Sequence, residues 1–142
     1  MAKSQYIVVV GCGQLGSILA NHLSSEGHSV VVIDQNEHHF SKLSTAFSGF
    51  RIVGDAVESA ILKRAKTDKA DCFFAVTDQD NINLMVAQIA KEIFQVPKVL
   101  ARVYDPAREQ SYRDLDISTI SPTLLSAQAF LDILQPSQVV QA

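Results

Sequence analysis

Tyr6-Ile7-Val8-Val9-Val10-Gly11-Cys12-Gly13-Gln14-Leu15-Gly16 is the stretch on which the fold turns. Five apolar residues run straight into a G-x-G-x-x-G loop. The run has no polar alternation and is short, so it reads as a strand buried on both faces. Beyond the loop, Leu15, Ile18, Leu19 and Leu23 recur at helical spacing, and the helix stops near Gly27. A glycine loop between a strand and a helix is the context in which this pattern carries meaning. Gly11 permits the tight turn, Gly13 lets an anion approach the backbone, and Gly16 lets the helix pack closely on the strand. The unpaired N–H groups at the helix start then point at that anion. The plainer alternative is a glycine-rich turn with no ligand.

Working outward, short apolar runs recur at Val30–Ile33, Phe50–Val53, Cys72–Val76 and Val99–Val103, with a weaker one at Asp116–Ile120. Between them lie segments with helix signals. Asn36 caps a second helix that ends before Ser48-Gly49, Ala60–Ala65 is a short third, and Asn81–Phe94 is a long fourth. Pro106 opens a fifth, and Ser121-Pro122 opens a sixth that runs to about Leu134. Strand and helix alternate throughout, which predicts an α/β fold: a doubly wound parallel sheet of six strands between two helix layers. Right-handed crossovers favour the strand order 3-2-1-4-5-6. Residues 1–134 form one domain, and 135–142 read as a tail.

Composition agrees. The chain has 142 residues, 47% hydrophobic and 19% charged, which suits a single globular domain with its own core. Its formal net charge of −3 leaves no basic excess for nucleic acid or anionic membranes. No apolar run approaches the roughly 20 residues of a bilayer span, and the N-terminus lacks the pattern of a signal peptide. Cys12 and Cys72 form no spacing motif.

The second run ends in Asp34, at the distance from the loop where an acid commonly binds ribose hydroxyls. A carboxylate there repels a 2′-phosphate, and the neighbours Gln35 and Asn36 carry no cation. The reading favours adenosine with free ribose hydroxyls (NAD, AMP, ADP or ATP) over NADP. Asp34 also suits a helix cap, and the two roles are compatible. In such sheets ligands sit outside the carboxyl ends of the strands. There, Asp55 and the Ala56 amide suit the adenine edge, Thr77 and Asp78 the sugar and phosphate, and Arg102 a phosphate or an acidic neighbour. Asp55 and Asp78 serve equally well as caps of the helices that follow.

Catalytic equipment is thin. His22, His28, His38 and His39 fall on helices or before a strand, and none stands at metal-ligand spacing, so they read as surface or partly packed residues. Cys12 sits in the loop with no base near it in sequence, and Cys72 heads a core strand. The fourth and last helices are apolar nearly all round, which points to a subunit contact near Phe130 and Leu134.

With these residues in hand, the chain resembles the N-terminal nucleotide-binding domain of TrkA/KtrA-type potassium-uptake regulators, the RCK N-domain. The matching stretches are VVVGCGQLGSILA (8–20), VVVID (30–34), IVGDAVESAIL (52–62), DCFFAVTDQDNINLMVAQIAK (71–91), KVLARVYDP (98–106) and ISPTLLSAQ (120–128). The resemblance implies a Rossmann-like fold and a ligand that is NAD(H) or an adenine nucleotide. The ligand positions it implies are Gly11, Cys12, Gly13, Gln14, Leu15, Gly16, Asp34, Asp55, Ala56, Thr77, Asp78 and Arg102, with no metal. It further implies a cytoplasmic, non-enzymatic subunit that pairs with itself and gates a membrane potassium-translocating partner, lying at the membrane's inner face through that partner without inserting. The cofactor domain of an NAD-dependent oxidoreductase is the alternative.

Overall fold

β1 (Tyr6–Val10) lies in the middle of a six-stranded parallel sheet, in a computed structural model that describes residues 3–135. β2 (Ser29–Asp34) and β3 (Phe50–Val53) flank it on one side. On the other side follow β4 (Cys72–Ala75), β5 (Lys98–Arg102) and β6 (Ser118–Ile120). The order is β3-β2-β1-β4-β5-β6, all parallel, as the alternation of elements predicts. Val8 pairs in register with Val31 of β2 and with Phe73 of β4.

Alternate strand residues feed two separate cores. Ile7, Val9, Val30, Val32 and Cys72 face α1 (Gln14–Ser25), meeting Leu15, Leu19, Ala20 and Leu23. Val8, Val10, Val31, Ile33, Phe73 and Ala75 face the opposite layer, where Leu62 comes from α2 (Ser59–Arg64) and Val86 and Ala87 from α3 (Asp80–Gln88). Tyr112, from α4 (Glu109–Arg113), completes that layer and is fully buried. Each such aliphatic or aromatic side chain contributes about 1.5–3 kcal/mol on burial. That pattern explains why the central strands lack polar alternation, whereas the edges β3 and β6 each expose part of their length.

The helices depart from expectation in three places. The segment after Asn36 is no α-helix: only a 3₁₀ turn forms, at Glu37–Lys42, and the chain then runs irregularly to β3. Phe40, Leu43 and Phe47 still plug the core beside α1, so this irregular stretch does the covering work of a helix. α3 ends at Gln88, and the helix continues as a π-turn over Ile89–Ile93. The element opened by Pro106 is a 3₁₀ turn at Pro106–Arg108, leading into the single turn of α4. The last helix, α5 (Pro122–Leu134), forms as predicted, with the Ser121 hydroxyl accepting the Leu124 N–H. Of the tail expected at 135–142, residues 136–142 lie outside the described residues.

Candidate functional site

Gly11 has φ +108°, and a Cβ there would stand 3.0 Å from Val76 and Thr77 backbone atoms. At Gly16 a Cβ would fall 1.8 Å from the Gly11 carbonyl oxygen. Both glycines let α1 and the ends of β1 and β4 close on one another. Gly13 differs: a Cβ there would meet nothing within 4 Å. Gly13 is also the N-cap of α1, with no side chain capping the helix. The first-turn N–H groups, which have no intrahelical acceptor, are therefore left to solvent or to an anion.

A cleft of about 210 Å³ opens at the carboxyl ends of β1 to β4. Of the residues read from sequence, Gly11, Asp34, Asp55, Ala56, Thr77 and Asp78 line it. Gln35, Asn36 and His39 line it as well. Asp34 is its best-anchored charge. Its Oδ2 accepts the Cys12 N–H at 2.8 Å, and its Oδ1 accepts the Asn36 N–H at 2.8 Å. His39 Nδ1 lies 2.9 Å from the same Oδ1. Burial pushes the carboxyl up, but the Asn36 and Cys12 N–H donors and His39 outweigh it and hold the group below its ordinary value. Asp34 is thus an ionised acceptor at the end of β2. Asp55 forms a local turn, accepting the Val57 N–H at 3.0 Å.

Cys12, Gly13, Gln14, Leu15, Gly16 and Arg102 are not among the residues that line the cleft. The Cys12 side chain is fully buried, and burial together with Asp34 raises its thiol, which leaves it a small core residue. Arg102 turns inward: Nη2 donates to the Val76 and Thr77 carbonyls at 2.7 and 2.8 Å, while Nε is buried without a partner. Sequence reasoning passed over Asn83, which is fully buried behind the cleft. Its Oδ1 accepts the Thr77 N–H at 2.9 Å and its Nδ2 donates to the Thr77 and Arg102 carbonyls at 3.0 Å each. A polar residue on the apolar helix face it shares with Val86 and Ala87 was the signal available. Among the described residues no group of His, Cys, Asp or Glu is arranged to hold a metal ion, and no helix is long and apolar enough to cross a membrane.

The family model of the TrkA-N domain matches residues 7–122, from β1 through the strand ends that build this cleft to the start of α5. The chain belongs to the TrkA-N family. This TrkA-N chain is 39% identical over 132 residues to the Trk system potassium uptake protein TrkA of Streptomyces coelicolor, covering 93% of the chain and 59% of that protein. It is 32% identical over 110 residues to the TrkA homolog of Pyrococcus abyssi, covering 78% of the chain and 48% of that protein. The chain therefore spans about half to three-fifths of these relatives. Among solved structures, the TrkA-N domain of inner membrane protein ybaL from Escherichia coli matches with a TM-score of 0.83 at 16% identity, covering 95% of this chain and 100% of that one. The Kef CTD of Shewanella denitrificans in AMP-bound form matches with a TM-score of 0.77 at 22% identity, covering 93% and 83%. The GsuK channel bound to NAD matches with a TM-score of 0.74 at 18% identity, covering 92% and 24%. The doubly wound fold read from the strand pattern is the fold these domains share.

Proposed function

We propose that this domain binds an adenine nucleotide with free ribose hydroxyls, NAD(H) or one of AMP, ADP and ATP, and serves as the sensing part of a regulatory subunit in a potassium uptake system. The observation that carries the reading is Asp34, ionised, anchored by two backbone N–H groups and lining a cleft beside a glycine loop whose Gly13 faces open space. Phosphate meets the N-terminus of α1, ribose meets Asp34, and adenine lies toward Asp55 and Ala56. Thr77 and Asp78 flank the sugar and phosphate. Arg102 holds the Val76–Thr77 carbonyls in place behind the cleft.

The subunit acts from the cytoplasm on a membrane potassium-translocating partner and assembles with copies of itself. Nucleotides that differ beyond the first phosphate favour different packings of the assembly, and that difference biases the partner. Binding rather than turnover is the output of this cleft in our reading. The names of the relatives and the nucleotides in related solved structures support this reading. Isothermal titration tests it: NADH or an adenosine nucleotide binds more tightly than NADPH, and Asp34→Arg weakens that binding. Tighter NADPH binding to the unmodified chain overturns the assignment.

A further inference from the structure

We propose that His39 is the second half of the ribose-reading unit, and that its protonation state sets how strictly a phosphate at the ribose 2′ position is refused. The inference rests on the nucleotide reading of the cleft. In sequence His39 looks remote, since Gln35 and Asn36 are the residues that follow Asp34. The 3₁₀ turn at Glu37–Lys42 folds the chain back and returns the imidazole to the carboxylate.

A carboxylate offers about four lone-pair sites. Asp34 has filled three of them, with the Asn36 N–H and His39 Nδ1 on Oδ1 and the Cys12 N–H on Oδ2. One site is left, on Oδ2, and a ribose diol brings two hydroxyls. The second hydroxyl needs another acceptor, and His39 Nε2 supplies it. An ionised carboxylate only accepts, so the proton of the neutral ring sits on Nδ1 and Nε2 carries a lone pair. Asn36 agrees with that tautomer. Its Oδ1 accepts the His38 N–H at 3.0 Å, which turns its Nδ2 donor toward His39 Nε2 at 3.5 Å. A contact so long is weak, and a hydroxyl displaces it readily.

Protonation reverses this chemistry. Nε2 becomes a donor, and a positive charge stands beside Asp34, suited to a phosphate oxygen instead of a hydroxyl proton. The surrounding charges are Asp34 on β2, Glu37, His38 and Lys42 on the same turn, Arg51 on β3, and Asp55 and Asp78 across the cleft, with the buried Cys12 thiol in the loop. The carboxylates lining the cleft repel the 2′-phosphate whether or not His39 carries a charge, so His39 is the group whose change is felt.

The test compares 5′-AMP with adenosine 2′,5′-bisphosphate by titration calorimetry between about pH 8 and pH 5.5, the range in which histidine changes charge. The 2′-phosphate itself gains a proton near pH 6, so the unmodified chain is read against His39→Gln. The preference for 5′-AMP falls by about ten-fold more in the unmodified chain than in His39→Gln, the effect of one charge a few ångströms away in a partly solvated cleft. His39→Arg shows the relaxed preference at both pH values, and His38→Gln follows the unmodified chain. Nitrogen-15 correlation spectra of the free protein at about pH 8 show the Nδ1–H tautomer at His39, the one its neighbours demand. Equal pH profiles for the unmodified chain and His39→Gln, or an Nε2–H tautomer, overturn the proposal. Failure of 5′-AMP to bind at all would instead sink the nucleotide reading beneath it.

Discussion

A methyl group at Gly16 would stand 1.8 Å from a backbone oxygen, whereas one at Gly13 would touch nothing. The two glycines therefore part company in a test. Gly16→Ala forces α1 off the loop and costs about 1–3 kcal/mol in chemical denaturation. Gly13→Ala, at φ −80°, displaces nothing and costs no more than about 1 kcal/mol, the ordinary preference for glycine over alanine at an N-cap. It nonetheless weakens nucleotide binding, because the methyl occupies the space through which a phosphate reaches the α1 N-terminus. Unchanged affinity in Gly13→Ala would mean that the loop is only a turn. Asp34 carries a further prediction. Its folded-state carboxyl sits below the ordinary value, so its stabilisation is complete above the unfolded value of about 3.9 and is lost as pH falls through the folded value. Unfolding free energy measured between about pH 5 and pH 2 accordingly falls less steeply in Asp34→Asn than in the unmodified chain.

Among the elements, the ends of the helices are unusual in what they lack. Lys66, Gln95 and Asp116 hold φ of 55°, 57° and 57°, in the left-handed region that glycine normally takes after a helix. Lys66 is solvent-exposed and lies just past the C-cap Ala65 of α2. Lys66→Gly relieves the Cβ strain and raises stability by about 1 kcal/mol, less the extra freedom of the unfolded chain, read as a higher denaturation midpoint. α4 is a single turn yet is tied firmly to α3. The Tyr112 hydroxyl donates to the Asp80 carbonyl at 2.7 Å from a fully buried position. Burial, and then the Asp80 charge, push this phenol up to about 12. It stays protonated as a donor across the working range, and Tyr112→Phe costs about 1 kcal/mol for the lost hydrogen bond. Asp80 also accepts the Tyr104 and Asp105 N–H groups at 2.8 and 3.0 Å, so one residue at the start of α3 fastens the loop after β5.

At the scale of the whole molecule, α5 is the element without a home. None of its residues is buried, and Phe130, Ile133 and Leu134 are 75%, 84% and 80% exposed. Leu125 on the same helix is 60% exposed. α3, which looks equally apolar in sequence, buries Val86 and Ala87 against the sheet and exposes Met85. An apolar helix left exposed among the described residues suits a contact surface, and we predict self-association through α5. Sedimentation at micromolar protein reads a mass above the monomer, and Phe130→Asp lowers it. A monomer in both cases, with and without nucleotide, would remove α5 from the assembly.

The strand order was legible because alternation of short apolar runs with helical segments leaves few topologies once crossovers are right-handed. The glycine turn and the place of Asp34 at the cleft were legible for a related reason, since both positions follow from where strands end. What followed Asn36 was not legible. Phe40, Leu43 and Phe47 have spacing that a helix or an irregular plug satisfies equally, and only packing against α1 chose the plug. That choice brought His39 to Asp34, a contact that no periodicity encodes because it depends on how a 3₁₀ turn folds back. Arg102 and Asn83 teach the same lesson from the other side. Strand position put Arg102 at the ligand edge, but the free carbonyls of Val76 and Thr77, left by the turn that ends β4, took up its guanidinium. Local sequence determines which backbone a residue sits on. Which buried donors and acceptors must find one another is decided only when the elements close, because each unpaired group costs about 1–3 kcal/mol and the side chains within reach are known only then.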